Sequence, residues 1–283
     1  MSQKTNSEDL SNITCIILTF NEENNIGPAI ESLNWVDDLI VVDSYSTDAT
    51  IQNARLYRPD VRIFQNRFVD FGHQRNWALE RCNPKHQWVL FLDADERSTL
   101  AFESAVKCTL GKNTENVGYY LTYRNIFLGR WLKRSTFYPS WQLRLLKLGH
   151  VTYRPEGHGQ REITSGPLGR IDTPYDHFPF DNGLECWLAK HNHYSSKECD
   201  LIEQLRREPL RIIDGFSQDP LRRRRFMKRI AARVWFRPIV RFFYTYLFRG
   251  GFLDGMPGYI YCRLMAQYEF QLWAKLKERQ AQS

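Results

Sequence analysis

Hydrophobic positions in this chain are grouped into short continuous runs. Residues 13–20 (ITCIILTF), 39–42 (LIVV) and 88–92 (WVLFL) carry no charge, the pattern of strands buried on both faces. A fourth run, 61–64, follows Pro59 and reads as a further short strand. The segments between them, 26–33, 48–57 and 68–82, read as helices, the second with Ser46 or Thr47 as its N-cap. Strand and helix alternate over about a hundred residues with connections too long for hairpins, so the pattern predicts an α/β fold with a doubly wound, mostly parallel sheet.

Polarity switches abruptly where these runs end. The ends carry Asn21 and Glu22, then Asp43, then Asp93 and Asp95. Ligands of open parallel sheets sit outside the carboxyl ends of the strands, which makes these residues the candidate site. On an extended backbone Asp93 and Asp95 would point to the same side. Two charges about 4 Å apart repel by roughly 1 kcal/mol in water and roughly 4 kcal/mol at an effective dielectric near 20, so the pair asks for a cation such as a divalent metal carrying a phosphate. The competing reading is that these acids cap a helix over 98–110.

The first strand is followed by NEENNIG, which is neither G-x-G-x-x-G nor a P-loop, so a dinucleotide enzyme or a P-loop NTPase is not favoured. An acidic crevice suits the N–H and O–H donors of a nucleobase and ribose, with a metal for the phosphates. Arg75, within FGHQRNWALE, is a second phosphate partner by its planar fork, or else part of a solvated helix face.

TFNEENNI, VVDSYSTDAT, GHQRNWALE and WVLFLDADE, in this order, resemble the N-terminal half of family 2 glycosyltransferases with the GT-A fold. The resemblance implies a nucleotide-sugar donor, usually a UDP-sugar, a DxD-type site for Mg2+ or Mn2+, and transfer with inversion. By position it implies that Thr19, Asn21 and Glu22 line the nucleoside pocket, Asp43 faces the base, Asp93 the ribose or diphosphate, and Asp95 the metal. Many relatives read D-D after the second strand; here Asp43-Ser44 leaves a single acid.

From 116 onward the pattern changes to aromatic, partly alternating strands at 118–123 and 141–146. Trp131, Phe137, Tyr138 and Trp141 could stack on sugar faces or serve as core and turn residues. RPEGHGQRE, 154–162, reads as a turn or loop that gathers His158, Arg161 and Glu162. Inverting transfer needs one group to take the proton of the acceptor hydroxyl. The placement resembles the acceptor-side acid of lipopolysaccharide-core and polyprenol-linked-glycan transferases, which makes Glu162 the expected general base with His158 beside it. Glu156 and Asp172 stand as substitutes, and a structural salt bridge of Glu162 is the alternative. His177, His191 and His193 follow, the last pair as H-x-H, but no matching ligand spacing supports a metal site there. A helix is expected over 184–200.

The formal charge of +7 is concentrated in one segment: 206–249 holds thirteen Arg and Lys against three acids. Arg225, Arg229, Arg233, Arg237 and Arg241 recur every four residues, spreading over about 160° of one helical face, with aromatic and aliphatic residues on the rest. Pro238 should end or kink that helix. Basic and apolar faces on one helix point to a membrane interface, with 222–270 as the docking region. The longest charge-free stretch is 10–21, too short to span a bilayer. Nucleic acid is not expected as a partner, since no RRM, KH or helix-turn-helix pattern is present. Six scattered cysteines without a C-x-x-C pair and a polar start without an apolar h-region favour a reducing, cytoplasmic location on the inner face of the membrane. The expected organisation is a disordered 1–12, a GT-A domain over 13–200 (donor half 13–115, acceptor half 116–200), and a helical membrane-docking region, 201–283. The expected activity is transfer of one sugar to a lipid-linked saccharide or lipopolysaccharide-type acceptor. A polyprenyl-phosphate glycosyl synthase and a non-enzymatic nucleotide or nucleic-acid binding module are the rivals.

Overall fold

The computed structural model describes residues 12–112, 114–156 and 159–282, and at 155, 156, 159 and 160 the backbone alone. The expected disorder of 1–12 concerns residues almost wholly outside this range. Two compact units emerge: one holds the chain up to Ile126 together with Tyr138–Asn182, the other Phe127–Phe137 and Gly183–Ser283. The sequence-based boundary at 200 falls inside a long helix of the second unit.

The first unit is built on β1 (Ile13–Thr19), β2 (Asp38–Asp43), β3 (Arg62–Gln65) and β4 (Trp88–Asp93), all parallel, in the order β3-β2-β1-β4. The sheet continues through β8 (Gln142–Lys147), antiparallel to both neighbours, then β6 (Gly118–Phe127), β11 (Leu168–His177) and the short β5 (Glu96–Arg97). The mixed α/β fold with a mostly parallel central sheet is therefore as the periodicity predicts. Alternation along β1 explains why both faces are covered. Ile13, Cys15 and Ile17 pack with Ile26, Ala29 and Ile30 of α1 (Ile26–Glu31), Ala54 of α2 (Thr50–Tyr57) and Phe102 and Val106 of α4 (Leu100–Leu110). Ile16 and Leu18 pack on the opposite face with Ala78 and Cys82 at α3 (Phe71–Arg81) and with Val151 and Tyr153.

Three local expectations are corrected. Ser46 and Thr47 do not cap α2; its N-cap is Ala49, without a side-chain bond, because both hydroxyl residues are engaged by the loop after β1. Residues 154–156 and 159–162 are not a loop: β9 (Val151–Glu156) and β10 (Gly159–Thr164) pair antiparallel, with Gly159 the first residue of β10. The backbone does not stay extended past Asp93, because a turn intervenes at Ala94 and Asp95 before β5.

The described residues of the second unit include the short β7 (Arg130–Trp131) and the α-helices α5 (Gly183–Arg207), α6 (Pro220–Arg233), α7 (Arg237–Phe243) and α8 (Gly255–Gln282). Cys199 and Ile202, Ala232, and Leu272 and Leu276 bring α5, α6 and α8 together in one small core. Asp254 Oδ2 accepts from the Arg134 and Ser135 backbone N–H groups and from the Ser135 hydroxyl, fixing the chain ahead of α8. The arginine repeat is not a free stripe. The helix breaks at 234–236, ahead of Pro238, which sits in the first turn of α7 where its missing N–H costs nothing. Arg225 and Arg229 bind Glu208, Arg233 donates to the carbonyls of Leu205, Arg206 and Glu208, Arg237 pairs with Glu269, and Arg241 lies over the Phe137 ring. The partners of Arg225, Arg229 and Arg237 are acids remote in sequence.

Candidate active site

The carboxyl ends of β1 and β2 are latched together by polar bonds. Asn21 takes a left-handed backbone (φ 53°), a conformation Asn tolerates better than most residues. Its N–H donates to Ser46 Oγ at 2.8 Å, and its Oδ1 accepts from the Thr47 N–H at 2.8 Å. The Glu22 N–H donates to Thr50 Oγ1 at 2.8 Å, while Glu22 Oε2 accepts from Asn25 and Asn182 side-chain amides at 2.7 and 2.8 Å. Asp43 is fully buried; its carboxylate accepts from Ser46 and from Gln65 Nε2 at 3.0 Å. It builds the turn that exposes Tyr45. Thr19 is buried with its Oγ1 unpartnered among the described residues.

At the end of β4 the two aspartates part company. Asp93 receives Arg144, whose Nη1 and Nη2 lie 3.2 and 2.7 Å from its two oxygens, a bidentate fork. Arg144 Nη2 also reaches Glu96 Oε1 at 3.2 Å, and Glu96 Oε2 accepts the Asp93 N–H at 2.8 Å. Arg75 approaches Asp93 at 3.6 Å from the other side. It is no solvated helix residue: it is buried, with its guanidinium 5.7–5.8 Å from the ring centres of Phe71, Phe91 and Tyr153. Burial opposes the Asp93 charge, yet Arg144 and then Arg75 hold its carboxyl well below the usual range. Burial pushes Glu96 up to about 7, against the pull of Arg144.

Asp95 faces a different partner. His177 Nε2 lies 3.3 Å from Asp95 Oδ2, while His177 Nδ1 is 2.8 Å from Asn125 Oδ1. Because the amide oxygen can only accept, Nδ1 carries a proton, and Nε2 is left facing the carboxylate. Burial disfavours the imidazolium, but the Asp95 carboxylate more than offsets it and raises the His177 pKa. The antiparallel pairing of β11 with β5 sets His177 opposite Glu96 and so beside Asp95.

Glu162 sits half-buried on β10, directly opposite Tyr153. Opposed residues of an antiparallel pair project to the same face, so Glu162 shares the side on which Tyr153 meets Arg75 and Phe91. Burial, with Glu162 adding to it, pushes the Tyr153 phenol up to about 12. His158 lies outside the described residues, as does the Glu156 side chain, and Asp172 is exposed on β11. Sequence reasoning overlooked Arg144, Glu96 and Tyr175, whose hydroxyl meets Glu96 Oε1 at 3.2 Å. The available signal for Arg144 was one charge inside the apolar WQLRLL. His177 was grouped with His191 and His193, yet its partner is Asp95; His191 instead stacks on Trp187 within α5.

A strand-end crevice lined by carboxylates, guanidinium groups and an imidazole is suited to an anionic, hydroxyl-rich substrate. Residues 14–150 match the model of Glycosyl transferase family 2, and the chain carries a glycosyltransferase domain of that family. Among curated relatives, it is 26% identical over 275 residues to the lipopolysaccharide core biosynthesis glycosyltransferase LpsC of Rhizobium meliloti (strain 1021), covering 95% of this chain and 93% of that one. The SPbeta prophage-derived glycosyltransferase SunS of Bacillus subtilis (strain 168) is 36% identical over 89 residues, 31% of this chain and 21% of SunS. Among solved structures, the mannosyltransferase PcManGT from Pyrobaculum calidifontis in complex with GDP-Man and Mn2+ is similar with a TM-score of 0.46 and 15% identity, covering 94% of this chain and 87% of that one.

Proposed function

We propose that this glycosyltransferase moves one sugar, with inversion, from a UDP-sugar to a lipid-linked saccharide or lipopolysaccharide-type acceptor at a membrane surface. The observation that carries the donor half is the division of labour at β4: Asp93 is neutralised by two arginines, whereas Asp95 faces Nε2 of His177. Asp95 and His177 fit a divalent ion, since one hard oxygen and one imidazole nitrogen, oriented by Asn125, lie close together. Such an ion would offset the charge of the departing diphosphate. Asn21 and Glu22 shape the nucleoside pocket through the latched loops, Thr19 lines its floor, and Asp43 acts through the turn it holds. Asp93 and Arg75 work as a pair, the carboxylate fixing the guanidinium for the diphosphate.

Glu162 takes the proton of the acceptor hydroxyl as that oxygen bonds to the anomeric carbon and the bond to the diphosphate breaks. The acceptor class rests on the near full-length similarity to LpsC, and membrane contact on the apolar and basic residues within 222–270. UDP release with a lipid extract as acceptor tests the reading. Asp95→Ala and EDTA should each abolish it, and full activity without divalent metal would refute the metal assignment. Glu162→Gln should bind UDP-sugar normally while transfer falls by a factor of about 100 or more. An active variant would move the base elsewhere.

A further inference from the structure

A groove of about 680 Å³ lies between α7 and α8, lined by Ile239, Phe242, Phe243, Tyr259 and Phe270 among others, with Arg263 as its charged residue. Its neighbourhood is unusually apolar. Thirteen large hydrophobic side chains between 235 and 270 are exposed, including Phe248 at 84% and Met256 at 67%, a concentration that a water-facing surface does not sustain. No helix among the described residues is long and apolar enough to cross a membrane, so this face would enter one leaflet only. Arg237, Arg241 and Arg249, which interrupt the apolar run, are turned to Glu269, the Phe137 ring and the Thr136 carbonyl. Arg263 is exposed, with its guanidinium 5.8 Å from the Phe242 ring.

We infer that the groove between α7 and α8 seats a hydrocarbon chain of a bilayer lipid, with Arg263 at its rim on the lipid phosphate. This deepens the membrane reading above and changes its physics: attachment comes from hydrocarbon insertion, with a single cation for the headgroup, and not from a cationic helix. Charge complementarity supports the occupant, because the lining holds a cation and no acid. An Arg beside an aromatic ring suits a phosphate sitting at the boundary of an apolar phase.

The test is flotation of the full chain with vesicles of phosphatidylcholine alone and of phosphatidylcholine mixed with phosphatidylglycerol. Binding to both is expected, persisting in about 0.5 M salt, where surface attraction is screened. Ile239→Glu and Phe270→Glu change residues more than half exposed, so the fold should survive; a circular dichroism melt checks this. Each should lower the bound fraction by about tenfold or more, since a carboxylate is costly in hydrocarbon. Arg263→Gln should weaken binding to both vesicle types, less than either Glu variant. Failure to float, or flotation only with the anionic vesicles and lost in salt, overturns the inference. So does a dimer in light scattering that Ile239→Glu splits and vesicles do not, which would make a second copy the occupant. UDP release in detergent is measured separately: a chain that floats but releases no UDP sinks the transfer reading and leaves the groove standing.

Discussion

Replacing Arg144 by methionine keeps much of the side-chain length and removes the charge shared by Asp93 and Glu96. Arg144 is buried, with 4% of its side chain exposed, and makes three hydrogen bonds to the two carboxylates. Removing one partner of a buried ion pair costs about 3–5 kcal/mol, because the remaining charge is left without water or a counter-ion. Two features pull the value toward the lower end. Arg75 stays 3.6 Å from Asp93, and Glu96, with its pKa already raised to about 7, can take up a proton. The expectation at pH 8 is a loss of about 3 kcal/mol, or a Tm lowered by about 6–12 °C for a unit of this size.

The sign with pH follows from Glu96. Its folded-state pKa is raised by burial, so the stability tied to its protonated form is complete below its unfolded pKa of about 4.3 and is lost as pH rises through 7. At pH 5 Glu96 is protonated in both proteins, Arg144 then serves Asp93 alone, and the penalty of Arg144→Met should shrink. Urea unfolding at pH 5 and pH 8 in EDTA measures both quantities. Adding Glu96→Gln to Arg144→Met should return about 1 kcal/mol or more at pH 8, because removing both partners is cheaper than removing one. A variant that melts within about 2 °C of the parent at pH 8 would refute the network as drawn.

Two further outcomes follow from the same unit. Asp38 is buried at the start of β2; burial opposes its ionisation, but the Thr14 hydroxyl, the Lys85 N–H and the Arg62 fork outweigh it and lower its pKa. Its stabilisation is present above about pH 4 and lost as pH falls through the lowered value, so Asp38→Asn should cost roughly 3 kcal/mol at pH 7 and almost nothing in strong acid. A pH-independent difference in urea melts would contradict this. Thr19→Val removes a buried hydroxyl without a partner among the described residues, so stability should hold or rise by about 1 kcal/mol while UDP-sugar binding weakens several-fold. Unchanged affinity in calorimetry would remove Thr19 from the donor pocket.

What could be read in the sequence was what rests on local pattern. The apolar runs of β1, β2 and β4 announce buried strands because neither face can tolerate charge, and their polar ends mark the crevice. Pairings across topology left no such trace. Asp93 and Arg144 are 51 residues apart, and Asp95 meets His177 only because β11 runs beside β5. Glycines at 157 and 159 read as a turn or loop in the sequence, yet Gly159 already belongs to β10, so the strand carrying Glu162 was missed. The arginine repeat misled for the opposite reason: its helical spacing is real, but Glu208 and Glu269 lie outside the window in which a helix wheel is drawn.

The turn at Ala94 is what gives the D-A-D-E stretch its several tasks. Had the strand stayed extended, two like charges would share one face and one cation would have to serve both. Because the backbone turns, Asp93 is drawn back to Arg144 and Arg75 and becomes part of a neutral scaffold. Glu96 ties that scaffold to the backbone of Asp93 itself. Asp95 stands opposite His177, with Oδ2 3.3 Å from its Nε2. The same turn thus gives the two aspartates different surroundings, and Arg144, three strands over in sequence order from β5, holds Asp93 and Glu96 together.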